Sequence, residues 1–179
     1  MIDMQKEIFL SNARFLELAR QQKKSEGVLG LAALPRLEEA LRELGVSNER
    51  ILAEVSVAYG LQGLPARYFG EVQLPMLSLT VHTSLPLVCQ RCFTPMPQAV
   101  DARFEYAICD EPPEALLEDD EIDWLEPGEF SLESLVEDEL LMALPISVMH
   151  EEACGELQKT AGEKPNPFAV LKNLKLADK

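Results

Sequence analysis

Polar and apolar positions along this chain recur with two different periods, and the changes of period mark its regions. Ser11 can cap a helix running to about Lys23, with Phe15, Leu18 and Ala19 on one face. Pro35 suits the first position of a second helix. Leu37, Ala40, Leu41 and Leu44 then follow helical spacing, and Gly45 can close it. The period next drops to two. Ala53, Val55, Val57 and Tyr59 alternate with Glu54, Ser56 and Ala58, and Gly60, Gly63 and Pro65 read as a turn. A less regular run covers Ala66 to Val72. Leu77, Leu79 and Val81 then oppose Ser78, Thr80 and His82, and Val100, Ala102, Phe104, Tyr106 and Ile108 oppose Asp101, Arg103 and Glu105. This pattern predicts an α+β fold, an antiparallel sheet of about four to six strands with helices from the N-terminal and C-terminal parts packed against it. His82 falls on the wet face as an ordinary surface residue.

Beyond the strands, Pro112, Pro113, Pro127 and Gly128 punctuate an acidic stretch at about 110–129, which reads as a long loop. Ser131 can cap a helix to about Leu144, with Leu132, Leu135, Val136, Leu140, Ala143 and Leu144 inward, Glu139 at the margin of that face, and Pro145 ending it. Near the C-terminus, Asn166 can cap and Pro167 can open a short helix lined on one side by Phe168, Leu171 and Leu174. A helix of about ten residues is marginal alone in water, so the segment at about 164–176 must dock, on its own domain or on a partner. The whole of 1–179 reads as one domain.

Charge changes this picture most. The net charge is −15, with 31 acidic and 16 basic residues. Residues 1–50, 51–100 and 140–179 are each balanced, whereas 101–139 holds 16 acids against Arg103 alone. An electrically neutral body therefore carries one acidic segment, either a solvated loop or a docking surface for a basic partner such as a ribosomal protein. Such a segment would repel RNA phosphates. The first ten residues lack the basic start and apolar run of a secretory signal, and no stretch approaches the length of a membrane span. The expectation is a cytoplasmic protein.

Candidate chemistry is sparse. There is no Gly-rich phosphate loop, GxSxG elbow or HExxH motif, and only two histidines are present. No cofactor motif stands out beyond a candidate structural zinc. Cys89 and Cys92 have the spacing of two zinc ligands, and His150 and Cys154 can supply the other two. The intervening 57 residues are long for a compact zinc module, and free thiols are the alternative. Trp124, in the acidic stretch, is a candidate contact point.

Three segments together resemble the YceD family of large ribosomal RNA subunit accumulation proteins: Leu87-Val88-Cys89-Gln90-Arg91-Cys92, then Leu135 through Pro145 with His150, then Lys164-Pro165-Asn166-Pro167-Phe168-Ala169-Val170-Leu171. The resemblance implies a bacterial factor supporting synthesis, processing or accumulation of 23S ribosomal RNA and large-subunit assembly, with no enzymatic activity to carry over. It offers Cys89, Cys92, Glu137, Asp138, His150, Asn166, Pro167 and Phe168 as functional positions, with Glu137, Asp138, Asn166, Pro167 and Phe168 toward a partner. The preferred mechanism is binding of a basic ribosomal or assembly protein, with ribosomal RNA affected indirectly and no membrane or small-molecule substrate. Two alternatives stand beside it. One is direct RNA binding through Arg14, Arg20, Lys23, Lys24, Arg36 or Arg42; the other is a metal-dependent RNA-processing enzyme.

Overall fold

The computed structural model describes residues 12–127, 131–152 and 154. Helix α1 (Asn12–Gln21) ends where Gln22 turns left-handed, at a φ of 51°. Strand β1 (Lys24–Gly30) follows at once. The sequence reading did not anticipate β1, because a strand carrying two glycines and burying Leu29 alone shows little alternation. A 3-10 turn at Leu31–Ala33 leads into α2 (Pro35–Glu43), which begins at the proline as expected, and Gly45 at φ 97° follows its end.

The period-two reading beginning at Ala53 is corrected at its start. Ala53 closes a short helix, α3 (Glu49–Ala53), whose first turn is capped by the Asn48 side chain. Strand β2 then runs from Ser56 to Phe69 without a turn. The expected turn at Gly60, Gly63 and Pro65 is thus a strand interior, and the physical reason is packing. Gly63 donates its N–H to the Lys23 carbonyl at 2.8 Å, and a β-carbon there would collide with the Leu18 carbonyl of α1. This glycine serves close backbone approach and not a change of direction. Pro65 is accommodated by a β-bulge, where the register against the next strand shifts between Leu64 and Arg67.

Strands β3 (Val72–Val88) and β4 (Pro95–Ile108) complete a long antiparallel hairpin. The acidic stretch is no plain loop: it contains a helical turn, α4 (Glu114–Leu117), and a short strand, β5 (Asp123–Leu125), which pairs parallel with the end of β4. Helix α5 (Leu132–Ala143) is capped by Ser131 and returns along the sheet. The result is an α+β fold with a five-stranded sheet in the order β1-β2-β3-β4-β5.

One apolar layer joins the sheet to its helices. Phe15 and Leu18 of α1, Leu37 and Leu41 of α2, and Leu132, Val136 and Leu140 of α5 pack with Val57, Leu61, Leu79, Val81 and Leu85. Full burial of one such side chain contributes about 1.5–3 kcal/mol. The opposite face of the sheet carries His82, Asp101 and Arg103, and His82 pairs there with Asp101.

A buried carboxylate ties the two halves together. Leu34 offers α2 no capping side chain, and Glu137 of α5 takes that place. Its Oε1 accepts the Arg36 and Leu37 backbone N–H groups at 2.6 and 3.1 Å, and its Oε2 accepts from Arg36 Nε at 3.0 Å. Arg36 also donates to Asp138 Oδ1 at 2.6 Å. An acid at a helix N-terminus meets both the unpaired donors and the positive end of the helix dipole.

Candidate metal centre

Pairing of β2 with β3 begins at Val57 and Thr83, whereas β3 and β4 stay paired out to Val88 and Pro95. The last turn of the hairpin is therefore a two-stranded ribbon that extends past the rest of the sheet. A two-stranded ribbon is marginal in water without further support. Cys89 and Cys92 lie in the turn at its tip, where Cys89 N–H donates to the Thr94 carbonyl and Phe93 N–H to the Cys89 carbonyl.

Support arrives from the chain after α5. Gln90 N–H donates to the Val148 carbonyl at 3.0 Å, and Ser147 Oγ donates to Gln90 Oε1 at 3.0 Å. These bonds lay the following residues across the tip and bring His150 and Cys154 to the two cysteines. The 57-residue separation is bridged because β4 runs away from the tip and α5 runs back. Cys89 Sγ lies 3.6 Å from Cys154 Sγ, Cys92 Sγ 3.5 Å from His150 Nδ1, and His150 Nδ1 3.2 Å from Cys154 Sγ. The four ligand atoms all fall within 4.8 Å of one another. A tetrahedron built on Zn–S bonds of about 2.3 Å and a Zn–N bond of about 2.0 Å has edges of roughly 3.5–3.8 Å, so the cluster matches a closed four-ligand site that could hold zinc.

The electrostatics favour ionisation at two of the three sulfurs, Cys89 and Cys92, whereas burial raises the pKa of Cys154 against the opposing pull of Arg91. Burial works against ionisation of the fully buried Cys89, but backbone N–H groups of the turn and His150 outweigh it and bring its pKa down to about 5. The Thr94 hydroxyl and amide lower that of Cys92. The Cys89 sulfur raises the pKa of His150. Arg91, which the sequence reading passed over, closes the arrangement. Its Nε donates to Cys154 Sγ at 3.2 Å, and Nη2 donates to the His150 and Glu152 carbonyls. One guanidinium thus fixes the returning chain and offsets the excess negative charge that three thiolates would bring to a divalent ion. Position inside the Cys-x-x-Cys stretch was the only sequence signal for it.

The acidic region lies at the other end of the hairpin, beside Tyr106 to Ile108. Glu111, Glu114, Glu118, Asp120, Glu121 and Asp123 are exposed there, while Leu116 and Ile122 are buried with Phe69, Leu74, Met76 and Ala107 in a second small core. Arg67 pairs with Asp119 at 3.4 Å. Trp124 is partly exposed. Of the other expected site residues, Glu137 is 4% exposed and engaged by α2, and Asp138 is more open but bonded to Arg36. Glu139, expected at a margin, is instead 6% exposed and accepts a hydrogen bond from the buried Tyr106 hydroxyl. Asn166, Pro167 and Phe168 fall outside the described residues.

Comparison with known proteins bears on both ends. The family model for the large ribosomal RNA subunit accumulation protein YceD matches residues 77–175. The chain belongs to the YceD family. A relative of that name from Haemophilus influenzae (strain ATCC 51907 / DSM 11121 / KW20 / Rd) is 32% identical over 151 residues, covering 75% of this chain and 82% of the relative. No solved structure matches. The span matched by the YceD model contains all four clustered ligands, the acidic region and α5. No helix among the described residues is long and apolar enough to cross a membrane.

Proposed function

We propose that this YceD-family chain is a non-enzymatic cytoplasmic factor in accumulation of large-subunit ribosomal RNA, acting by docking a basic ribosomal or assembly protein on its acidic end. The observation that carries this reading is the ordered scaffold beneath the acids. Six exposed carboxylates between Glu111 and Asp123 stand over buried Leu116 and Ile122, so the negative surface is held in place before a partner arrives. Preorganised, complementary charge raises association rate and excludes like-charged competitors. Direct RNA binding is disfavoured by the pairing of three of its six candidate cations: Arg36 with Glu137 and Asp138, Arg42 with Glu38 and Glu49, and Lys24 with Glu26.

In this reading Cys89, Cys92, His150 and Cys154 hold one structural zinc. All four positions are filled by protein, which leaves no open coordination site for catalysis. Of the two acids on α5, Asp138 pairs with Arg36 and Glu137 holds α5 to the start of α2.

The test is a salt titration of binding between the full-length protein and purified basic ribosomal proteins. The variant Glu114→Gln/Glu118→Gln/Asp120→Asn/Glu121→Gln should weaken binding by about tenfold or more at low salt and flatten its salt dependence. Unchanged affinity in this variant, or tight capture of protein-free 23S ribosomal RNA fragments by the wild type, would overturn the proposal.

A further inference from the structure

Beside the metal centre lies an apolar groove of about 160 Å³, lined by Leu44, Leu87, Val88, Phe93, Pro145 and Ile146. Its rim is unusual for a protein surface. Ile146 is 100% exposed and Phe93 76%, and Phe93 is presented by a left-handed backbone at φ 59°, a conformation costly for a bulky residue. Clustered exposed apolar side chains mark a surface that is covered in the working molecule.

We infer that this groove is the docking site for the chain's own segment at about 165–174, through Phe168, Leu171 and Leu174. Three observations select that occupant. The first is position: the described chain ends at Cys154, whose sulfur is 3.6 Å from that of Cys89, itself a lining residue of the groove. The intervening 155–163 can span up to about 30 Å, more than enough to reach it. The second is pattern, since Phe168, Leu171 and Leu174 recur at helical spacing after Pro167, which suits a first helical position, and so short a helix would need a surface to form on. The third is charge. Residues 164–179 hold Lys164, Lys172, Lys175 and Lys179 against Asp178 alone, in a chain of net charge −15. Glu43, next to Leu44 in sequence, is exposed, as are Glu151 and Glu152 a few residues beyond Val148. An apolar floor in an acidic protein fits an apolar segment rich in lysine. The segment thus adds a further strut to the ribbon tip, beside the chain that returns from α5.

The experiment uses the full-length protein as purified, with p-benzoylphenylalanine in place of Phe168. After irradiation, mass spectrometry should find crosslinks within one chain to Leu44, Phe93 or Ile146. Ile146→Glu should lower their yield by about tenfold or more, because it sets an unpaired charge in the apolar contact. Leu117→Glu, an exposed position at the acidic end, should leave the yield unchanged. Crosslinks between two chains would assign the groove to a second copy, and crosslinks only outside the groove would leave it to another partner; either result overturns the inference. Binding at the acidic end is measured separately and does not depend on this outcome.

Discussion

The two ends of the β3–β4 hairpin solve the same problem with different chemistry. Each must hold chain that extends beyond the part of the hairpin flanked by sheet on both sides. At the acidic end, Leu116 and Ile122 turn inward onto Phe69, Leu74, Met76 and Ala107, and this burial, with the pairing of β5 to β4, orders the segment while its carboxylates face water. At the ribbon tip, the described residues offer no comparable second core. Ligand groups from two distant segments converge there, with Arg91 clamping the return. The difference shows that burial can order a segment which folds back on a sheet, whereas a hairpin tip paired on one side only is suited to a cross-link between distant segments, which the four clustered side chains could make through zinc.

The comparison can be broken most sharply by removing a ligand. Cys92→Ser should abolish stoichiometric zinc in the purified protein and speed amide exchange through 86–96 by about a hundredfold or more, with exchange at 106–125 little changed. Equal acceleration at both ends would show that the ends are not independently supported. Glu137→Ala should act on both, because it releases α5, which connects them. It strands the Arg36 and Leu37 donors, so denaturant unfolding should show a loss of about 3 kcal/mol.

The smallest effect concerns Glu139, near the acidic end. Burial, with neighbouring Asp123 and Asp138, raises its pKa, while the Tyr106 hydroxyl opposes the rise. The folded protein then retains a proton that the unfolded chain releases above about pH 4.3, so its contribution to stability falls as pH climbs through the raised value. Glu139→Gln should flatten that part of the stability–pH curve and leave zinc content unchanged. An unaltered curve would place the pH sensitivity elsewhere.

Legibility in the sequence followed locality. Pro35 and Ser131 announced their helices because caps and first-turn residues act within a few positions. Strand alternation in β4 was plain because one face is wet and the other buried. Gly63 misled because its meaning depends on α1 crossing above it, a contact no local pattern encodes. Glu139 misled for the related reason that its partner, Tyr106, lies on a strand whose pairing with α5 spacing cannot reveal. The four ligands were nameable as residue types with suitable spacing. Their convergence required β4 and α5 to run out and back, and Arg91 had no signature of its own.

Glu137 also imposes an order of events on biosynthesis. The group that completes the first turn of α2 lies about a hundred residues downstream of it. While the ribosome is still extending the sheet, α2 has two donors met only by water, and its apolar stripe has no α5 to rest on. Long-range closure of this kind slows folding, since the loop must be drawn in before the contact rewards it. The first turn of α2 is therefore completed only once α5 has emerged, so this part of the native structure locks late.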